Sequence, residues 1–156
     1  MAHDPSDYEI DDEGVFRSTL VVSFPYSRSV GPHIGRFLTG LRDGRIEGIR
    51  MADGRVLVPP PEVDPLTGEA GAEWVEVSPE GVVESWTWVA DPVDGQPLSS
   101  PFAWALVRLQ GCDSGFLHAV DAGSPDRLSV GTRVRARWRD ERVGSVRDIE
   151  CFEVVS

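Results

Sequence analysis

Thr132-Arg133-Val134-Arg135-Ala136-Arg137-Trp138-Arg139 alternates without a break, and its reading decides the fold class. Side chains along a strand point to opposite faces with period two. Val134, Ala136 and Trp138 therefore share one face, and Arg133, Arg135, Arg137 and Arg139 share the other. Such a segment reads as a half-buried β-strand. Outward from it, β-prone runs recur at 73–77, 81–90, 102–110, 115–121 and 147–154. Turn chemistry separates them: Ser78-Pro79-Glu80-Gly81, the loop from Asp91 to Pro101, Gly111 to Ser114, and Asp140 to Ser145. Pro125 and Gly131 bracket a short helical turn over 124–130. About five barrel strands with one helical insertion fit an OB-like barrel, with a β-sandwich as the alternative.

Upstream of the strands the pattern changes period. Ile34, Phe37, Leu38 and Leu41 fall at i, i+3, i+4 and i+7, which predicts an amphipathic helix from Pro32 to Asp43. Pro32 suits its first turn and Gly44 the position past its end. Its stripe faces its own domain or a partner. Residues 45–72 hold Asp53-Gly54, Pro59-Pro60-Pro61 and Thr67-Gly68, a turn-rich stretch with little core of its own. Residues 15–26, Val-Phe-Arg-Ser-Thr-Leu-Val-Val-Ser-Phe-Pro-Tyr, form an apolar arm ahead of the helix. Residues 1–14 carry six carboxylates and read as a disordered acidic leader. The expected organisation is leader 1–14, arm and helix 15–44, ribbon-like segment 45–72 and barrel 73–156.

Composition narrows the function. The net charge is −11 and the pI about 4.6, which disfavours general binding to phosphate backbones. All fifteen basic residues are arginine, a composition that fits a GC-rich genome such as that of an actinobacterium. No apolar run reaches the length of a membrane span, and no secretory signal core is evident, so a cytoplasmic location is expected. In that compartment Cys112 and Cys151 are expected as buried reduced thiols rather than a disulfide.

Chemistry-bearing motifs are absent. His3, His33 and His118 are far apart and no Cys-x-x-Cys exists, so no zinc ligand set is expected. Neither a nucleophile elbow nor a phosphate loop is present, and no catalytic residue is assigned. The tryptophans Trp74, Trp86, Trp88, Trp104 and Trp138 sit in the β region and are expected chiefly as core. The arginine ladder either binds coenzyme A phosphates or an acidic partner, or pairs locally with Asp148 and Glu150. Local pairing is the expectation.

The run from Phe37 to Val154 resembles the acyl-CoA-associated OB-fold family. The resemblance rests on Phe37-Leu38-Thr39-Gly40-Leu41-Arg42-Asp43-Gly44-Arg45, Pro59-Pro60 and Glu73-Trp74-Val75-Glu76-Val77. It continues through Gly81-Val82-Val83-Glu84-Ser85-Trp86-Thr87-Trp88, Pro101-Phe102-Ala103-Trp104-Ala105-Leu106-Val107 and Val130-Gly131-Thr132-Arg133-Val134. Members of that family place a helix, a rubredoxin-like zinc ribbon and then an OB barrel. The ribbon departs here. Its two Cys-x-x-Cys-Gly knuckles are replaced by Arg50-Met51-Ala52-Asp53-Gly54 and Asp64-Pro65-Leu66-Thr67-Gly68. Two carboxylates and a hydroxyl do not make a structural zinc site, so a metal-free ribbon is expected.

The resemblance implies a non-catalytic accessory subunit of a heteromeric thiolase-like acyl-CoA enzyme. An aldolase of steroid side-chain degradation is the leading form. The alternatives are a stand-alone acyl-CoA binder or the accessory domain of a hot-dog-fold hydratase. No cofactor is expected on this chain; a coenzyme A thioester at the shared interface would be the substrate of the complex. The arm is expected to lie on the partner through Phe16, Leu20, Phe24 and Tyr26, with Phe37 of the helix beside them.

Overall fold

The computed structural model describes residues 9–10, 12–17 and 29–155, with Glu9, Phe16 and Arg17 described by backbone alone. Leu20, Phe24 and Tyr26 lie outside the described residues. Strand β1 (Glu9–Ile10) pairs antiparallel with β2 (Phe16–Arg17) through a turn in which Gly14 takes φ +79°. This corrects the expectation of disorder for the end of the leader. Asp12-Glu13-Gly14 supplies a turn that an acidic composition alone does not reveal.

Helix α1 (Gly31–Arg42) places Pro32 in its first turn and is followed by Gly44 at φ +77°. Its stripe seats Phe37, Leu38 and Leu41 in the same apolar cluster as the barrel interior. Phe37 is 2% exposed and meets Phe116 edge-on at 6.2 Å. It is therefore committed to the chain's own core, not free as a partner anchor, because the stripe closes on the barrel.

Next comes a small sheet in the order β4-β3-β5, from β3 (Ile46–Arg50), β4 (Val56–Leu57) and β5 (Glu73–Val77). The run 73–77 was expected to open the barrel. It instead pairs along its whole length with β3, from Ile46↔Val77 to Arg50↔Glu73. Periodicity fixes a strand but not its neighbour, so the ribbon extends to Val77. Ile49, Met51 and Leu57 form its own small core, with Trp74 against them. Its inner residues Ile46, Val56, Val58 and Val77 join the main core. Polar contacts anchor it further. The Asp113 carboxylate accepts the Val56 N–H at 2.9 Å, and Ser114 Oγ accepts the Val58 N–H and donates to its carbonyl.

The barrel is closed in the order β10-β8-β7-β6-β9. Its strands are β6 (Glu80–Val89), β7 (Phe102–Leu109), β8 (Gly115–Asp121), β9 (Arg133–Trp138) and β10 (Ile149–Val154). All pairings are antiparallel except β10 with β8, and closure excludes the sandwich. The expected helical turn is a single 3-10 turn, Pro125–Arg127. A bulge at Glu84 separates Val83↔Val107 from Ser85↔Leu106. Such an extra residue bends and twists its strand. It lets β6 pair with β9 at its start and with β7 along its length. It also changes the inward parity, so Val83 before the bulge and Trp86 and Trp88 after it all reach the main core. No helix among the described residues is long and apolar enough to cross a membrane.

Candidate functional site

The arginine ladder is largely neutralised in place. Arg133 pairs with Glu80, Arg135 with Glu153, and Arg137 with Glu150 at 2.8 Å and Asp121 at 3.3 Å. Burial works against the Arg137 cation, yet these carboxylates prevail and hold its pKa above the ordinary value. Glu150 is thus the expected partner. Asp148 is not: it lies in the 3-10 turn Val146–Asp148, where its carboxylate accepts the N–H groups of Val143, Gly144 and Ser145. With Ser145 it forms a reciprocal capping box. Burial raises the Asp148 pKa, but these three donors outweigh it and the net shift is downward. Arg139 differs from the rest of the ladder. Its Nε donates to the Arg147 carbonyl at 2.9 Å, and it meets no carboxylate among the described residues.

Between the two knuckle segments stands a guanidinium. Arg55 donates from Nε to Asp53 at 2.5 Å and from Nη2 to Asp64 at 2.6 Å. One side chain therefore ties the first knuckle to the second. Asp64 also accepts the Leu66 N–H at 2.8 Å. Arg55 holds the Asp53 carboxyl below the ordinary aspartate range; the Leu66 N–H and then Arg55 do the same for Asp64, against its burial. Sequence reading singled out both aspartates but missed Arg55. The signal was available, since Asp53-Gly54-Arg55 sets a cation two residues from a vacated ligand position.

A second ion pair fastens the helix to the ribbon. Arg36 bonds the buried Glu47 at 2.8 Å, while its guanidinium lies 4.3 Å from the centre of the Trp74 ring. His33 stacks on Trp74 with ring centres 5.5 Å apart. The hydrogen bond from Arg36 holds the Glu47 carboxyl below its ordinary value.

The groups with nucleophilic or acid–base potential are tucked inside. Cys112 and Cys151 are free and buried, and burial pushes each thiol up to about 11. Both are therefore protonated at neutral pH. His118 projects into the barrel between Phe116 and Phe152, with Nε2 3.3 Å from the Val146 carbonyl. Burial lowers its pKa, favouring the neutral ring.

The outside of the barrel is uneven. Phe102 and Ala119 are covered, with Leu98 of the β6–β7 loop and Trp104 packed beside them. Beyond that cover lies a recess of about 220 Å³, lined by Pro97, Trp104, Leu117, Val146 and Ile149, with Arg139, Arg147 and Glu150 among its polar groups. Trp104, expected as core, is half-buried: it packs edge-on against Phe102 and lines the recess. Nothing in the periodicity signals the recess, which is assembled from a strand pair, a loop and a turn distant in sequence.

Residues 74–139 match the family described as the ChsH2 C-terminal OB-fold domain. A DUF35 domain-containing scaffold protein of Pyrococcus furiosus is 28% identical over 98 residues, which is 63% of this chain and 71% of that protein. Two solved structures share the fold. A DUF35-family protein of unknown function from Sulfolobus solfataricus superposes with a TM-score of 0.58 at 22% identity, over 80% of this chain and 83% of that one. A chain of the Ltp2-ChsH2(DUF35) aldolase superposes with a TM-score of 0.60 at 20% identity, over 82% of this chain and 98% of its own. The barrel is thus an OB fold; residues 74–139, from β5 through β9, resemble the ChsH2 C-terminal OB-fold domain, and the chain as a whole resembles the DUF35 proteins.

Proposed function

We propose that this chain is the non-catalytic accessory subunit of a heteromeric, cytoplasmic thiolase-like acyl-CoA enzyme, an aldolase that cleaves a carbon–carbon bond in a steroid side chain. The observation that carries this reading is the match of residues 74–139 to the ChsH2 C-terminal OB-fold domain. The likeness to a protein described as a scaffold supports it. In this reading the coenzyme A thioester is bound and cleaved by the catalytic subunit. This chain buttresses that subunit, with the arm residues Phe16, Leu20, Phe24 and Tyr26 as anchors. Its own thiols, protonated and buried, supply no nucleophile.

The test is co-expression with a thiolase-like protein encoded beside it. The two chains should co-purify in fixed proportion, and retro-aldol cleavage of a β-hydroxyacyl-CoA should require both. Turnover by this chain alone, or no complex at all, would overturn the reading. Deleting residues 1–26 should weaken the complex; undiminished assembly would remove the arm from it.

A further inference from the structure

The recess on β7 and β8 combines two chemistries that the fold itself does not use together. Its walls are apolar, from Trp104, Leu117, Val146 and Ile149. At its edge, the Arg147 guanidinium donates to the Gly95 carbonyl and the Arg139 guanidinium to the Arg147 carbonyl. Neither guanidinium meets a carboxylate among the described residues. The acid of the lining, Glu150, is already held by Arg137. The apolar surface also runs on past the recess. Leu106 stands directly across from Leu117 in the β7–β8 register, and the two are 39% and 59% exposed. A cross-strand leucine pair left in water beside an apolar hollow is larger than a small ligand needs and suits a protein segment.

Charge selects the occupant. In a chain of net charge −11, two guanidiniums without carboxylate partners mark a place where an acidic segment gains. The chain's own arm cannot supply one, because no Asp or Glu occurs from Val15 to Arg42. The leader is acidic, but Ile10 within it is 61% exposed rather than seated in an apolar hollow. We propose that Leu106, Leu117 and Trp104, with Arg139 and Arg147 at the rim, form a docking surface for a protein partner. That partner presents a leucine or aromatic side chain flanked by Asp or Glu. The proposal rests on the accessory-subunit reading for the partner's identity, the catalytic subunit, and not for the surface itself.

The experiment selects random linear peptides, displayed on phage, against the full chain. Enriched peptides should join Leu, Phe or Trp to a flanking acid. Leu117→Asp, and the pair Arg139→Gln with Arg147→Gln, should each weaken a selected peptide at least roughly tenfold. Arg127→Gln, which alters a guanidinium on the β8–β9 connection, should leave it unchanged. Leu117 is exposed enough for its variant to fold, and far-UV circular dichroism checks this. No enrichment, enrichment without acids, or indifference to both variants overturns the proposal. So does a chain lacking residues 1–14 that binds the peptides tenfold more tightly, since its own leader would then be the occupant. A selected peptide should also displace the thiolase-like subunit. A complex that ignores both peptide and Leu117→Asp overturns the proposal and leaves the accessory-subunit reading standing. Peptide binding by a chain that captures no such subunit removes that reading and supports the surface.

Discussion

The ribbon and the barrel share a boundary of buried residues, yet different forces hold each together. The barrel closes on itself, and Val83, Val107, Val120 and Phe152 lie wholly inside it. The ribbon owns only Ile49, Met51 and Leu57, with Trp74 half-covering them. So small a cluster cannot offset the entropy of ordering a proline- and turn-rich segment. The deficit is met by Ile46, Val56, Val58 and Val77, which the ribbon buries in the main core, and by directional contacts: Arg55 between Asp53 and Asp64, Arg36 on Glu47, and the clasp from Asp113 and Ser114.

The sharpest way to break this contrast is in the barrel. Phe152→Ala should cost about 3–5 kcal/mol of global stability, as large-to-small changes of buried aromatics do. Urea unfolding measures it, and a cost below about 1 kcal/mol would deny the barrel its place as the main source of stability. In the ribbon, Arg55→Met removes the tie and leaves Asp64 facing an apolar chain. Limited proteolysis should then cut within 50–70 while the barrel's urea midpoint moves far less. A fall matching that of Phe152→Ala would mean that the two regions unfold as one.

Acid should separate the regions without mutation. Asp53 and Asp64 have pKa values lowered in the folded state, so their contribution is present above the unfolded aspartate value and is lost as pH falls through the folded one. The Leu66 amide resonance, whose N–H donates to Asp64, should therefore shift and broaden below about pH 4. A Leu66 signal that follows the barrel amides throughout would dissolve the distinction. On the barrel's outer surface, Arg135→Ala should change stability by about 0–1 kcal/mol, because Arg135 and Glu153 are both solvent-accessible. The smallest effect is expected from a chelator. Because Arg55 occupies both knuckle carboxylates, EDTA should leave the melting temperature unchanged and elemental analysis should find far less than one zinc per chain. A stoichiometric zinc would contradict the arginine tie.

Strand positions were legible because period two survives in a single chain. The six β-prone runs from 73 to 154 recur within about two residues. Pairing was less legible. Glu73–Val77 alternates like a barrel strand, and only the three-dimensional register with β3 assigns it to the ribbon. Asp148 was expected opposite an arginine because it stands two residues before Glu150. The backbone leaves the strand there, and three N–H donors outcompete a solvated cation. Phe37 illustrates the complementary difficulty, since an amphipathic stripe specifies that a face is covered but not by what. The recess at Trp104 and Leu117 was invisible for a related reason: each contributing element reads normally, and the hollow exists only between them.

Arg55 has a further consequence for the conditions under which this protein keeps its shape. A ribbon built on four thiolates fails when zinc is scarce or when peroxide oxidises its ligands. The Arg55 joint contains no sulfur. It forms from the chain's own side chains as the chain folds, and its ion pairs offer peroxide no thiolate to oxidise.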